Sequence, residues 1–172
     1  MSITPDVKDW TWVLERPCAE CGFDPSTVDA RAVPATVRAS LPRWSAVLAR
    51  PDATARPAPD VWSPTEYGCH VRDVFAVFAE RVALMLDQDD PLFANWDQDE
   101  TALVERYDLQ EPAAVSCELS AAGERFAALV EVVPDDGWPR PGRRSNGSRF
   151  TVATLVVYFL HDLVHHLHDV DA

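Results

Sequence analysis

Apolar residues recur at spacings of three and four along most of this chain. Between Pro34 and Arg50, the residues Val37, Leu41, Trp44, Val47 and Leu48 fall on one helical face. Pro42, inside that run, predicts a kink or a break. After the Pro- and Ala-rich stretch PDATARPAPD at 51–60, the segment WSPTE carries the clearest helix start in the chain. Ser63 can cap, Pro64 suits the first helical position, Glu66 can complete a capping box, and Trp62 sits where a hydrophobic staple would. This helix is predicted to run to Asp87, with Tyr67, Val71, Val74, Phe78, Val82 and Met85 on its buried stripe, and His70 among them. Residues 88–110 are acidic with scattered aromatics and read as a long connection or a short crossing helix. A further helix begins at Pro112 and carries Val115, Leu119, Ala122, Phe126, Leu129 and Val133 at helical spacing. Residues 135–150 form a loop dense in Gly, Pro and Arg. Thr151 then caps a last helix that is almost wholly apolar through Leu160.

Four principal helices with almost no strand signal predict an all-α fold, a four-helix bundle. The long third connection allows a crossover in place of simple up-and-down order. The first thirty or so residues show no sustained period. They read as an irregular N-terminal segment, 1–33, ahead of a helical domain, 34–172.

Composition narrows the function. The chain has 172 residues, 47% of them hydrophobic, enough for one good core. Its formal charge of -13 repels nucleic-acid phosphates and anionic membrane surfaces, so both partners are set aside. The longest apolar run, Val152 to Leu160, is about half of what a membrane span needs, and MSITPDVKDW lacks the basic start and apolar stretch of a secretory signal. Cys18, Cys21, Cys69 and Cys117 are irregularly spaced, which argues for reduced thiols, and the expected location is the cytoplasm.

The chemistry concentrates in FLHDLVHHLHDV, residues 159–170, which holds four of the five histidines. His161 and His165, four apart, project from one helical face and make a two-ligand half-site. His168 shares that face, whereas His166 is rotated about 100° from His165 and falls outside the site. His70 is the only histidine elsewhere, on the core-facing stripe of the WSPTE helix. Burying three imidazoles without a shared partner costs about 2 kcal/mol or more each, and a common divalent cation removes that cost. A tris-histidine site of His70, His161 and His165 is therefore expected, with a position open for water or substrate. Asp162 points away from His161 and reads as a surface residue. Glu66, one turn before His70, can reach the site or be spent on the capping box.

WSPTEYGCHVRDV and HDLVHH together resemble the DinB-like superfamily of four-helix-bundle metalloproteins, over roughly residues 35–170. The resemblance implies a metal triad at His70, His161 and His165, holding zinc, nickel or another divalent ion. It also implies a thiol-dependent S-transferase or isomerase, like the mycothiol-dependent maleylpyruvate isomerases and the bacillithiol transferases, with mycothiol as the thiol cofactor and a small-molecule substrate. A metal that keeps its positive charge makes thiolate or hydroxide available near neutral pH. The alternatives are a metal-dependent hydrolase using water, and a metal- or small-molecule-binding protein without turnover, its site closed by a further ligand such as His168. A homodimer through exposed helix faces is compatible with a bundle of this size.

Two features remain. Arg143, Arg144 and Arg149, with Arg140, precede the last helix and would hold a substrate carboxylate or merely offset nearby acidic residues. CAECG, with Cys18 and Cys21, reads as two reduced cysteines, as half of a zinc knuckle or as a redox pair. A closed zinc site needs four ligands and there is no second CxxC. Cys69 and Cys117 would complete it only if the fold brought them near. Cys69, rotated off the direction of His70, reads as packing.

Overall fold

The computed structural model describes residues 10–172. Residues 1–9 lie outside the described residues, and with them the start of the irregular segment and most of the stretch examined for a secretory signal. The helices are α1 (Val33–Leu48), α2 (Pro64–Asp87), α3 (Gln98–Val104), α4 (Pro112–Glu131) and α5 (Val152–Asp169). α4 packs along both α1 and α2, and α5 closes the other side against the same two helices. Phe75 of α2, Phe126 of α4 and Phe159 of α5 meet at the centre, the last two with ring centroids 4.1 Å apart. At Gly123 a Cβ would lie 2.6 Å from Leu41 Cδ2 and 3.3 Å from the Phe75 ring, so a larger residue there would force the packed Leu41 side chain to move.

α1 runs through Pro42 without interruption. α2 begins as its sequence predicts: Ser63 Oγ accepts from the Glu66 amide, and a Glu66 carboxylate oxygen accepts from the Ser63 amide at 2.8 Å. Thr151 caps α5 in the same reciprocal way with Thr154. The stretch 88–110 resolves into a two-residue strand at Leu92–Phe93, the short α3 and a single turn at Tyr107–Leu109.

The all-α expectation needs correction, because a small three-stranded sheet covers one end of the bundle. Its strands are β1 (Leu92–Phe93), β2 (Pro141–Arg144) and β3 (Arg149–Thr151), in the order β1-β2-β3, with β1 parallel and β3 antiparallel to β2. The expected Arg-rich loop is thus largely a hairpin, turned by Gly147 at φ +95°. Its strands are too short and too polar to show a period of two. Gly142 presses against β1 and α2, where a Cβ would come within 2.5 Å of Phe93 Cζ and 2.9 Å of Met85 Cγ. Arg140 donates to the carbonyls of Met85 and Gln88 and so satisfies the C-terminal end of α2. Before α1 the chain makes single helical turns at Trp10–Leu14, Pro25–Thr27 and Ala30–Ala32, the first of them packed on α5. Among the described residues, no helix is long and apolar enough to cross a membrane.

Candidate metal centres

The C-terminal half of α5 presents two chemically different faces. A helix advances 100° per residue, so the pair 161 and 165 lies beside, not upon, the pair 162 and 166. α2 meets the second pair. His70, with Asp162 and His166, forms one group whose ligand atoms all lie within 4.8 Å of one another. The other pair turns toward the N-terminal segment, where His161 and His165 form an equally close group with Cys18 and Cys21. The structure therefore places His70 in one group and His161 and His165 in the other. The physical reason is the rotation of α5 about its own axis, which decides which pair α2 sees.

In the first group, His70 is fully buried and held between aromatic rings. Its centroid is 5.3 Å from Trp62, and it lies 5.5 Å from Trp96 with the planes 11° apart. The His166 ring stands edge-on to it at 4.7 Å, with Tyr67 at 5.2 Å from His166 on the outer side. One carboxylate oxygen, Asp162 Oδ1, is 3.7 Å from His70 Nε2 and 3.6 Å from His166 Nε2. These separations are too long for hydrogen bonds. They match ligands about 2.1 Å from a common ion, which at a tetrahedral angle sit about 3.4 Å apart. Both ring nitrogens of His70 and the Oδ1 of Asp162 are buried without a hydrogen-bond partner. Orphaned polar atoms of this kind are expensive unless something fills the space between them, and a divalent cation fits.

The electrostatics agree. Burial keeps the His70 imidazole below its usual pKa, with the neighbouring His166 acting in the same sense and Asp162 opposing both. For Asp162, burial alone would favour the acid, but His166 and His70 outweigh it and hold the carboxyl down at about 2. A neutral His70 imidazole beside an ionised Asp162 carboxylate is the pair of protonation states a metal requires of those two groups. His166 Nδ1 stands 2.8 Å from Asp169 Oδ2. Donation through Nδ1 leaves the Nε2 lone pair directed at the site.

In the second group, His161 and His165 are buried with ring centroids 5.1 Å apart, and Trp10 covers both, at 5.4 and 5.1 Å. Burial and the adjacent His165 lower His161 to about 4, and burial lowers His165 as well. Cys18 Sγ is 3.8 Å from His165 Nδ1. Burial, reinforced by the Cys18 thiol, pushes the Cys21 thiol up to about 11.

The remaining expectations sort clearly. His168 is exposed and belongs to neither group. Glu66 is committed to the capping box and to an ion pair with Arg56, not to the site. Cys69 is buried with its thiol toward Gln110, and Cys117 is exposed. Arg143 and Arg149 both pair with Asp90, and Arg144 lies over the Tyr158 ring. From Thr151 to Asp162, eleven helical residues, the separation is about 16 Å, so the arginines stand far from either group of histidines. Asp162 and His166, set aside as surface and off-site, share the i, i+4 spacing of His161 and His165. That second pair was the signal available in the sequence.

A family model described as the DinB superfamily matches residues 35–170. The chain belongs to the DinB superfamily. Among solved structures it is similar to YfiT from Bacillus subtilis, at 18% identity and a TM-score of 0.68 over 81% of each chain. YfiT is described as a probable metal-dependent hydrolase with an unusual four-helix bundle topology. At that identity the likeness establishes the DinB-type bundle shared by the two chains. No curated protein matches this one.

Proposed function

We propose that this DinB member is a metal-dependent enzyme acting on a small molecule, with His70, Asp162 and His166 as the ligands of a catalytic divalent cation, zinc or nickel. One observation carries the reading: two imidazole nitrogens and a carboxylate oxygen from two helices converge on one point, and the buried atoms among them lack any other partner. Three protein ligands leave a position for a reactant, and a single carboxylate among them leaves net positive charge on the ion. A cation there would lower the pKa of a coordinated water or thiol.

The chain's own residues supply the rest. Trp62 and Trp96 clamp His70 and keep water from its side of the site. Asp169 fixes the tautomer of His166, and Tyr67 walls its outer face. The partly exposed Asp162 and His166 mark the approach for the reactant. Water as nucleophile gives a hydrolase, a reading supported by the description of YfiT. A low-molecular-weight thiol such as mycothiol gives an S-transferase or isomerase, supported by the WSPTEYGCHVRDV and HDLVHH motifs.

The test is an assay of zinc- and nickel-loaded protein against a panel of activated esters and amides, and separately with mycothiol and model electrophiles. Turnover in one panel that disappears in Asp162→Asn and His166→Ala is expected. Absence of turnover in both panels, with the ion demonstrably bound, would favour a binding protein without catalysis.

A further inference from the structure

Cys18, Cys21, His161 and His165 remain outside that catalytic reading, and they form a different kind of site. CAECGF folds as a tight knuckle: the Cys18 amide donates to the Phe23 carbonyl at 2.8 Å, and the Gly22 amide donates back to the Cys18 carbonyl at 2.9 Å. Gly22 takes φ +74°, a conformation that glycine adopts freely, so the CxxCG spacing is what turns both thiols to one side. They face the first pair of α5 histidines. We propose that Cys18, Cys21, His161 and His165 bind a second, structural zinc ion that fastens the N-terminal segment to α5.

Three observations carry this. All four ligand atoms lie within 4.8 Å of one another. Sulfur and nitrogen ligands of a tetrahedral zinc are about 3.6 Å apart, and Cys18 Sγ stands 3.8 Å from His165 Nδ1, while both cysteines are free thiols. The far side of the His165 ring also fits. His165 turns Nδ1 toward the sulfur and Nε2 toward carboxylate oxygens of Glu20 and Asp169, at 3.5 and 3.8 Å, longer than hydrogen bonds but on the side where a ligating histidine usually has its outer partner. His161 Nε2 is buried with no hydrogen-bond partner.

Charge distinguishes the two centres. On binding Zn²⁺, both thiols ionise and release two protons to solvent, and four zinc–ligand bonds form with nothing oxidised or reduced. Two thiolates and two neutral imidazoles exactly offset the divalent charge, which suits a buried site under Trp10 and Phe23. With four protein ligands it has no vacancy for substrate, whereas the His70 group has three and an anionic charge of one.

Zinc and cobalt are the probes. Full-length protein loaded with Zn²⁺ is expected to hold one ion for each of the two groups, by elemental mass spectrometry. A Cys18→Ser, Cys21→Ser double variant should lose one equivalent, and so should Asp162→Asn, His166→Ala. Cobalt-loaded wild type should show a thiolate-to-cobalt charge-transfer band, kept in the Asp162, His166 variant and lost in the cysteine variant. No variant has to fold for the decisive reading: cobalt-saturated wild type without the thiolate band overturns the proposal. A folded cysteine variant that keeps both equivalents overturns it too. An Asp162, His166 variant that keeps both equivalents would instead overturn the catalytic-site reading.

Discussion

Asp169 touches no reacting atom, yet the position of its carboxylate decides what His166 can do. Its Oδ2 stands 2.8 Å from Nδ1, placed to accept a hydrogen bond in the tautomer that leaves the Nε2 lone pair facing Asp162 Oδ1. Outer partners of this kind are worth about 10- to 100-fold in metal affinity. Asp169→Asn is therefore expected to weaken zinc binding at the His70 group by about that factor, with the fold retained, as measured by competition with a chromophoric chelator. Unchanged affinity would remove Asp169 from that role. At this scale the sequence made the histidines visible and left their grouping open. His161/His165 and Asp162/His166 have the same spacing on the same helix, and nothing along the chain says which pair faces α2. His70 could be placed on a buried stripe because neighbouring apolar residues define that stripe, but its partner depends on the rotation of another helix.

Elements whose signals are local were the most legible. The starts of α2 and α5 both carry their caps as expected, and α4 begins at Pro112. Glu66 shows how strongly a cap can commit a residue. It is buried, accepts from the Ser63 amide and pairs with Arg56. Burial by itself would raise its pKa, but Arg56 and Ser63 more than compensate and hold the carboxyl below its ordinary value of 4.5. A group with a depressed folded pKa contributes stability above its unfolded pKa and loses it as the pH falls through the folded one. Glu66→Gln is thus expected to cost about 1–3 kcal/mol at pH 7, with the gap from wild type closing progressively as the pH drops below about 4.5. Chemical denaturation across that range measures it, and a gap independent of pH would contradict the assignment. The hairpin was not legible for the opposite reason. Apart from the turn at Gly147, it is held by the packing of Gly142 on Phe93 and Met85 and by the arginines around Asp90, contacts distant in the chain.

For the whole molecule, the bundle supplies the frame and the N-terminal segment supplies a second layer over α5. An irregular stretch whose fully buried hydrophobic residues are Val13, Cys18 and Phe23 has little core of its own, so a bound ion would contribute much of its order. Chelation is expected to raise amide exchange at Cys18 and Gly22 by about tenfold or more, while the buried core of α2 and α4 around Phe75 and Phe126 exchanges as before. Hydrogen exchange read by mass spectrometry or NMR gives the comparison. Equal protection with and without metal would mean that Trp10, Phe23 and the knuckle hold the segment unaided.

The central claim is that α5 divides its ligands, giving Asp162 and His166 to His70. Crystals of the zinc-loaded protein, with anomalous differences collected at the zinc edge, test it most directly. A peak enclosed by His70 Nε2, Asp162 Oδ1 and His166 Nε2 is the predicted result. An empty map at that point, or a single peak joining the ring of His70 to those of His161 and His165, would contradict it.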